Sequence, residues 1–355
     1  MPMMKRAMNT MDVKAVTSTT GEAELFSEVV RLIAASRAKA LHAVNTALIE
    51  LYWQIGSMLS RKIEAAEWGE GVVERLAEFI ARTYPGLRGF TKRNLFRMRG
   101  FYEAYRGDPI VSPLVSQLPW SHHLIILGQS KQQDQREFYV RLAIQERWSK
   151  RELERQLKSA LFERTVLSPP KVSPAVTQTH PEALSIFKDA YMLEFLDLPV
   201  PHAEEDLHRA LLLKLKEFLT ELGRDFCFVG SEFPLQVGGR DFAIDLLFFH
   251  RGLNSLVAIE LKVGRFEPEY IGKLAFYLEA LDRDVRKTHE RPSIGVLLCA
   301  SKDDEVVEYA LSRTVSPALI AEYQTHLPDK KLLRAKLHEF YLQNAPDEGE
   351  ADSRE

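Results

Sequence analysis

Hydrophobic positions divide the chain into a first half with a helical repeat and a second half in which short apolar runs alternate with helices. Apolar residues recur every three or four positions from about residue 22 to residue 63. This spacing predicts one long helix or two nearly collinear ones. Further helices are predicted at residues 72–83, 89–105, 119–127, 134–147 and 149–162. The first half is therefore predicted to be all-α.

The second half carries the spacing of a sheet covered by helices. Apolar runs predict strands at residues 225–233, 241–249, 255–263, 293–299 and 318–323. Helical periodicity is found at residues 206–223, 268–282, 303–311 and 330–343. Because three strands follow one another and a helix precedes the fourth, we expect a mixed central sheet in an α/β domain. The whole chain is then of the α+β class.

Changes in composition mark the expected domain boundaries. Residues 1–20 are polar and unperiodic, and residues 345–355 are acidic, so both ends are predicted to be disordered. The stretch 165–182 holds four prolines and predicts a linker. The domains are then a helical domain at 21–164, which includes a helix-turn-helix-like unit, and a second domain at 183–344.

Charge is distributed unevenly along the chain. The formal net charge of the 355 residues is −3, so the chain as a whole lacks the charge of a nucleic-acid-binding protein. From Arg88 to Lys158, however, 14 Lys or Arg stand against 7 Asp or Glu, an excess that suits phosphate binding. A solvated basic face on an ordinary helix explains this pattern equally well. The candidate nucleic-acid-binding residues are Lys92, Arg93, Arg97 and Arg99.

Cysteine usage and hydropathy indicate a cytoplasmic protein. The two cysteines, Cys227 and Cys299, both lie in apolar runs, and two such residues form neither a disulfide framework nor a thiolate zinc cluster. Apolar runs stay well below eighteen residues, and a signal-peptide pattern is absent. We therefore expect no association with a membrane.

Three charged residues interrupt the second and third predicted strands. Asp245 lies within AIDLLFF, and Glu260 and Lys262 lie within LVAIELK. Because side chains alternate along a strand, Glu260 and Lys262 share one face, and Asp245 converges on Glu260 if the hairpin partners face the same way. Two carboxylates suit Mg²⁺ or Mn²⁺, and Lys262 would orient a water or offset charge on the phosphorane. This arrangement predicts a metal-dependent nuclease site.

A simpler explanation exists for part of this pattern. Glu260 and Lys262 alone are typical of a salt bridge at the end of a strand, without any catalytic role. Charges inside apolar strands are costly unless they are paired or bound to metal. The presence of Asp245 at hairpin distance, together with the order of the elements, favours the nuclease site.

The residues also resemble a known family. The segment FVGSEFPLQVGGRDFAIDLLFFHRGLNSLVAIELKVGRFEPEYIGKLAFYLEALD is similar to the signature region of the YhcG-type family of PD-(D/E)XK nucleases. LIELYWQIG, GFTKRNLFRMRGFYEAY, LPWSHHLIIL and WSKRELERQL resemble its N-terminal helical domain. The resemblance implies a restriction-endonuclease-like fold, metal-dependent DNA cleavage, and a helical domain that contacts nucleic acid or a partner. It assigns Asp245, Glu260 and Lys262 to the active site.

Three positions depart from the pattern of this family. His208 stands where the family usually has a Glu that completes the metal site, so Glu204, Glu205, Glu221 or His208 itself would have to substitute. Ser231–Glu232 replaces a usual Arg-Gln. Lys273 replaces a Gln that is expected to point at the site. We expect Lys273 either to reach a phosphate, as part of the catalytic set, or to form an i,i+4 pair with Glu269.

Two functions remain open at this point. The first is a DNA endonuclease whose helical domain engages nucleic acid or a partner, and the residues do not distinguish RNA from DNA. The second is a nucleic-acid-binding or scaffold protein with the same fold and a weakened site, which His208 and Lys273 favour slightly. A homodimer formed through the long helix at residues 22–63 competes with burial of that helix in its own domain, which we favour.

Overall fold

The computed structural model describes residues 12–65, 70–108, 112–199 and 201–343. The chain divides into two compact units, Met1–Ile144 and Gln145–Glu355. No helix within these described ranges combines the length and hydropathy needed to span a membrane.

The first unit is built from helices that pack on one long helix. Its elements are α1 (Asp12–Glu64), α2 (Glu70–Thr83), α3 (Lys92–Tyr105), a 3₁₀ helix (Ser112–Gln117), α4 (Trp120–Gln129) and α5 (Gln133–Gln145). The Thr91 side chain caps α3 by accepting a hydrogen bond from the Asn94 N–H. Gly56 lets α1 approach α3 closely, since a Cβ at Gly56 would overlap the carbonyl oxygen of Met98. The first half is all-α, as predicted.

The second unit holds the sheet. Its helices are α6 (Lys150–Lys158), α7 (Leu161–Leu167), α8 (Pro174–Thr179), α9 (Ala183–Ile186), α10 (Glu204–Leu213), α11 (Leu215–Leu222), α12 (Tyr270–Ala280), α13 (Asp304–Leu311) and α14 (Lys330–Gln343), and a π-helical turn, Leu281–Val285, extends α12. Its strands are β1 (Lys171–Val172), β2 (Ala190–Met192), β3 (Phe226–Val237), β4 (Arg240–His250), β5 (Ser255–Arg265), β6 (Ile294–Ser301) and β7 (Ala318–Gln324).

The seven strands form one mixed sheet in the order β1-β7-β6-β5-β4-β3, with β2 paired to β7 beside this path. Strands β3, β4 and β5 are antiparallel neighbours, whereas β5, β6 and β7 run parallel. Parallel neighbours need a crossover, and α12 supplies the one between β5 and β6. The predicted α+β class with a mixed central sheet is confirmed.

Helices cover both faces of the sheet and bury its apolar side chains. On one face, Leu207 of α10 and Phe218 of α11 pack in a cluster with Ile259 of β5. On the other face, Leu274 of α12 packs in a cluster with Ala258 of β5. Strand β5 is therefore buried on both sides, which explains its continuous apolar run and makes a charge within it costly.

Several elements differ from the sequence expectations. The helix predicted at residues 206–223 breaks at Lys214, where φ is −113° and ψ is 30°, without a Pro or Gly to mark the position. Part of the stretch predicted as a linker, residues 165–182, belongs to the second unit. Its strand β1 pairs with β7, and the buried Ser173 hydroxyl donates to the Ser316 carbonyl.

The chain ends also differ from the expectation where the structure describes them. Helix α1 begins at Asp12, inside the predicted leader. Residues 1–11 and the predicted tail at 345–355 lie outside the described residues. The domain boundaries as a whole stay a prediction.

Candidate active site

Two acidic side chains lie next to each other where β4 meets β5. Antiparallel pairing aligns Leu246 with Ile259, so Asp245 and Glu260 are the next residues along the two strands. The Leu261 backbone N–H donates to Asp245 Oδ2 over 2.8 Å, and the Asp245 N–H lies 3.5 Å from Glu260 Oε1. The fold therefore brings the two predicted carboxylates together.

The Glu260 carboxyl is held in an environment that disfavours its charge. Its side chain is 1% exposed. Burial raises the pKa of Glu260, and the neighbouring charge of Asp245 raises it further, while Lys273 acts in the opposite direction. A buried carboxyl of this kind needs a cation beside it in order to remain ionised.

Lys273 of α12 provides that cation. Its Nζ donates to Glu260 Oε2 over 2.8 Å, so it pairs with Glu260 rather than with Glu269, the alternative considered from the sequence. Burial alone would lower the pKa of Lys273, but its hydrogen bond to Glu260 and the Glu260 charge outweigh burial and raise the pKa. The ammonium also lies over the Tyr277 ring, 5.2 Å from its centroid.

Lys262 points towards the first turn of α10. Its Nζ donates to Glu204 Oε1 over 2.8 Å and to the carbonyl of Leu261 over 2.6 Å. The same ammonium lies 5.7 Å from the centroid of the Tyr270 ring. Glu260 and Lys262 therefore do not form the salt bridge that was the simpler explanation from the sequence; each has a different partner, Lys273 for Glu260 and Glu204 for Lys262. Tyr270 was not predicted from the sequence, where nothing distinguishes it from an ordinary aromatic residue at a helix start.

Two residues of α10 reach this site. His208 Nε2 lies 3.1 Å from the carbonyl oxygen of Asp245, so a proton on Nε2 would donate to that carbonyl. Glu204, one turn before His208, bonds Lys262 as described above, whereas Glu205 is exposed. Of the four residues that were considered as substitutes for the missing Glu, Glu204 and His208 lie at the site.

Glu221, another of those four, belongs to a different cluster. It is fully buried and accepts hydrogen bonds from Arg155, Lys188 and the Met192 N–H. Burial would raise the pKa of Glu221, but the positive charges of Lys188, Arg155 and Arg164 outweigh it and lower the pKa to about 2. Arg155 also bonds Glu194 through both oxygens, so the cluster joins α6 to α11 and to the segment around β2.

The acidic pair has the chemistry of a cation site. Glu260 is buried, its neighbour Asp245 is a second carboxylate, and a cationic ammonium already lies on Glu260. Oxygen donors that carry negative charge suit a hard divalent cation. Asp245 and Glu260 therefore fit such an ion. Over the described residues, no set of three or more His, Cys, Asp or Glu side chains is arranged to hold a metal.

The four candidate nucleic-acid-binding residues of the basic helix α3 form two groups, which differ in whether the side chain pairs with an acidic residue. Lys92 pairs with Glu74 over 3.1 Å, and Arg99 pairs with Glu103 over 2.6 Å. Arg93 and Arg97 are exposed, one turn apart on the same face. Among ion pairs of the described residues, neither of these two guanidinium groups takes part. Arg93 and Arg97 are thus the two whose charge is most available to a ligand.

Comparison with known proteins gives matches to both halves. A family described as the YhcG PDDEXK nuclease domain matches residues 184–338, and one described as the DUF1016 N-terminal domain matches residues 28–164. The chain is 30% identical over 357 aligned residues to "Putative nuclease YhcG" of Escherichia coli (strain K12), which covers 90% of this chain and 94% of that protein.

Solved structures resemble part of the chain. A repair endonuclease from Pyrococcus abyssi matches with 15% identity and a TM-score of 0.24, over 36% of this chain and 49% of that one. A complex of EndoMS with double-stranded DNA matches with 19% identity and a TM-score of 0.20, over 30% of this chain and 38% of that one. The chain thus spans less than half the length of either structure.

Proposed function

The chain belongs to the YhcG family of PDDEXK nucleases, and from this premise we propose that it is a divalent-metal-dependent endonuclease that hydrolyses DNA phosphodiester bonds. The observation that carries the proposal is the convergence of the Asp245 and Glu260 carboxylates beside Lys262. Each of these charges interrupts an apolar strand, which costs stability and therefore indicates a function.

Each residue has a role in this proposal. Asp245 and Glu260 hold Mg²⁺ or Mn²⁺. When bound, the ion supplies Lewis-acid polarisation of the scissile phosphate and a lowered pKa for the attacking water. Lys262 orients that water or offsets the charge that develops on the phosphorane, and Glu204 fixes the direction of its ammonium. His208 steadies the Asp245 backbone through the carbonyl oxygen.

Lys273 completes the catalytic set as a phosphate contact. Its side chain is 47% exposed, so its ammonium can leave Glu260 for a phosphate oxygen without crossing the protein interior. The same ion pair also favours the alternative function, a nucleic-acid-binding or scaffold protein with a weakened site, since Lys273 neutralises the carboxylate that a metal would use. Binding of Mg²⁺ or Mn²⁺ by the full chain would favour the nuclease, whereas failure to bind either ion would favour the nucleic-acid-binding or scaffold protein.

The helical unit supplies contacts to DNA in this proposal. Arg93 and Arg97 bind phosphates directly, whereas Lys92 and Arg99 must first leave their acidic partners. The Lys92–Glu74 pair is exposed and contributes little stability, so breaking it costs little free energy, whereas the Arg99–Glu103 pair is half-buried and costs more to break. We further propose that the protein is cytoplasmic and acts as a homodimer, so that two sites are available for the two strands of a duplex.

Plasmid nicking tests the nuclease proposal. Supercoiled DNA is incubated with Mg²⁺ or Mn²⁺ and with the wild type, Asp245→Asn or Asp241→Asn. Asp241 is a matched control, because it lies on the same strand and is exposed, and among the described residues its side chain bonds only Gln236. We expect Asp245→Asn to abolish nicking and Asp241→Asn to retain it. Equal cutting by all three proteins would refute the proposal. A parallel assay with single-stranded and double-stranded RNA tests the choice of DNA.

Salt-dependent DNA binding tests the role of α3. Reversing charge in the double variant Arg93→Glu and Arg97→Glu is expected to weaken binding and to reduce the slope of log K against log salt by about 2. Arg313→Glu, which changes an exposed arginine of the second unit, serves as the control. An unchanged affinity and slope in the double variant would show that α3 does not contact DNA.

A further inference from the structure

The turn between α2 and α3, residues 84–91, exposes apolar side chains. Every residue from 81 to 89 is exposed. The exposed fractions are 62% for Tyr84 and 50% for Leu87, and Phe79, near the end of α2, is 58% exposed. Single exposed apolar side chains are ordinary, but three large ones within nine residues are typical of an interaction site. The turn is therefore a candidate surface for a ligand.

Backbone hydrogen bonds fix the shape of this turn. The Tyr84 N–H donates to the Ile80 carbonyl over 2.8 Å and so continues the hydrogen bonding of α2. The Leu87 N–H donates to the Tyr84 carbonyl over 2.9 Å, which closes a β-turn around a proline and a glycine. The Tyr84 ring thus projects from the first residue of a closed turn.

The rest of the turn is attached to the core of the helical unit. The Asn94 side chain donates a hydrogen bond to the Gly89 carbonyl. The Phe90 ring packs edge-on against Tyr52 of α1, with 6.0 Å between the centroids, and Tyr52 is 5% exposed. Because both ends of the turn are held, its backbone loses little conformational entropy when a ligand binds.

The residues around this turn carry positive charge only. From Phe79 to Tyr102 the chain has six Lys or Arg and no Asp or Glu. Arg82 and Arg88 lie on either side of Tyr84 along the chain and are exposed, and neither forms an ion pair with another described residue. Cations that contact phosphates and rings that stack on bases are together the elements of a surface that binds single-stranded nucleic acid.

We propose that Tyr84 stacks on an unpaired base of DNA while Arg82 and Arg88 contact its phosphates, so that the substrates of this protein are DNA molecules with unpaired bases, such as gaps, flaps or single strands. The proposal rests on DNA binding by the helical unit, as proposed above, and specifies the class of DNA. Nucleic acid is the occupant because the surface is cationic and the chain belongs to a nuclease family.

Stacking is what makes the unpaired base necessary. In a duplex, each base already has neighbours on both faces, so a tyrosine ring finds a free face only where a base step is first opened at a cost in free energy. A base in a gap or in a single strand offers its face without most of that cost. Arginine contacts to phosphates are available in either form of DNA. The Arg82 and Arg88 contacts therefore do not distinguish the two forms, whereas Tyr84 does.

Fluorescence anisotropy of the full chain in EDTA, which prevents metal-dependent cleavage, tests this surface. Labelled duplex DNA is compared with the same duplex carrying a central gap of unpaired nucleotides. We expect the wild type to bind the gapped DNA more tightly. Tyr84→Ala should weaken binding of the gapped DNA about 5- to 100-fold, the effect of losing one stacked base, and should leave the affinity for the intact duplex unchanged.

Two control variants accompany this measurement, with unchanged thermal melting as the check that each protein is folded. Tyr84→Phe keeps the ring and should bind gapped DNA as the wild type does. Tyr309→Ala removes a ring that is 77% exposed on α13, where Asp304 and Glu305 occupy the first turn, and should also bind like the wild type. Three results overturn the proposal: a wild type without preference for gapped DNA, wild-type affinity of Tyr84→Ala for it, or an equal loss on both DNA forms.

Salt dependence separates stacking from charge. Tyr84→Ala removes no charge, so the slope of log K against log salt should stay that of the wild type although the affinity falls. Arg82→Gln plus Arg88→Gln should reduce the slope by about 1.5 on both DNA forms. A changed slope in Tyr84→Ala, or an unchanged slope in the arginine variant, contradicts the roles assigned to these side chains.

The results also distinguish this proposal from the nuclease proposal. If the wild type binds neither form of DNA, both the stacking role of Tyr84 and DNA binding by the helical unit are wrong. If the wild type binds and nicks DNA but Tyr84→Ala binds gapped DNA equally well, the stacking role alone is wrong and the nuclease proposal stands.

Discussion

Replacing Lys273 by methionine isolates the ion pair that this residue makes with Glu260. Methionine keeps an unbranched stem of similar length and removes the ammonium. The 2.8 Å separation corresponds to about 6 kcal/mol at an effective dielectric constant of about 20 and to about 1.5 kcal/mol in water. Lys273 is 47% exposed, so solvent screening brings the value towards the lower figure. We expect the variant to lose about 2 kcal/mol of unfolding free energy near pH 8.

The loss should depend on pH in a defined direction. The folded-state pKa of Glu260 already lies above its usual value, and removing Lys273 removes an interaction that lowers it. The carboxyl of the variant therefore takes up a proton more readily as pH falls, and a neutral Glu260 no longer needs a cation. The deficit relative to the wild type should be full at pH 8 and should shrink towards pH 5.

Urea denaturation in the presence of EDTA at pH 8 and at pH 5 measures this difference. Lys216→Met is the control, since Lys216 is exposed and takes part in none of the ion pairs of the described residues. Titration with Mn²⁺ adds an independent readout. Without the Lys273 ammonium, the two carboxylates should bind Mn²⁺ more tightly. The increase in unfolding free energy that Mn²⁺ causes should therefore be larger in the variant than in the wild type. A deficit of equal size at both pH values, or unchanged Mn²⁺ affinity, would refute the reasoning.

Three further outcomes are expected. Gly56→Ala should lower the free energy of unfolding by about 1–3 kcal/mol, because the added Cβ overlaps a carbonyl oxygen of α3. The control Gly100→Ala has open space around the added Cβ and should raise the free energy of unfolding by up to about 1 kcal/mol. Thermal melts measure both changes. Glu204→Gln should reduce plasmid nicking about tenfold by releasing the Lys262 ammonium, while its exposed neighbour Glu205→Gln should not. Glu221, whose pKa is lowered from the usual 4.5 to about 2, stabilises the fold above pH 4.5 and loses that contribution as pH falls towards 2. The stability gap between wild type and Glu221→Gln should therefore close over this interval in acid denaturation.

The sequence predicted those helices and strands whose own residues show a clear helical or strand periodicity of apolar positions. Asp245 and Glu260 could be assigned to neighbouring strands because a charge in an apolar run is conspicuous and antiparallel neighbours are close along the chain. Strand β1 was missed because it has two residues and lies in a proline-rich stretch. The break at Lys214 was missed because neither proline nor glycine marks it.

Ion pairs between side chains of elements far apart along the chain could not be predicted from the sequence. Lys273 contacts Glu260 through the packing of α12 on the sheet, and a local i,i+4 partner at Glu269 was an equally reasonable choice from the chain alone. The partner of Lys262 is 58 residues away in Glu204. Such contacts follow from how the helices cover the sheet, and helical or strand periodicity carries no information about them.

The Glu221 cluster has a consequence for how the two halves can be separated or exchanged. Arg155 falls within the span of the DUF1016 N-terminal match, yet its guanidinium bonds Glu221 and Glu194 within the span of the nuclease match. A recombination breakpoint between the two spans would remove one of the cations that neutralise a buried carboxylate. We expect such chimaeras to fold poorly unless the incoming N-terminal part supplies an arginine at the position of Arg155. We therefore expect a nuclease fragment that folds on its own to begin near residue 145, where the second compact unit begins.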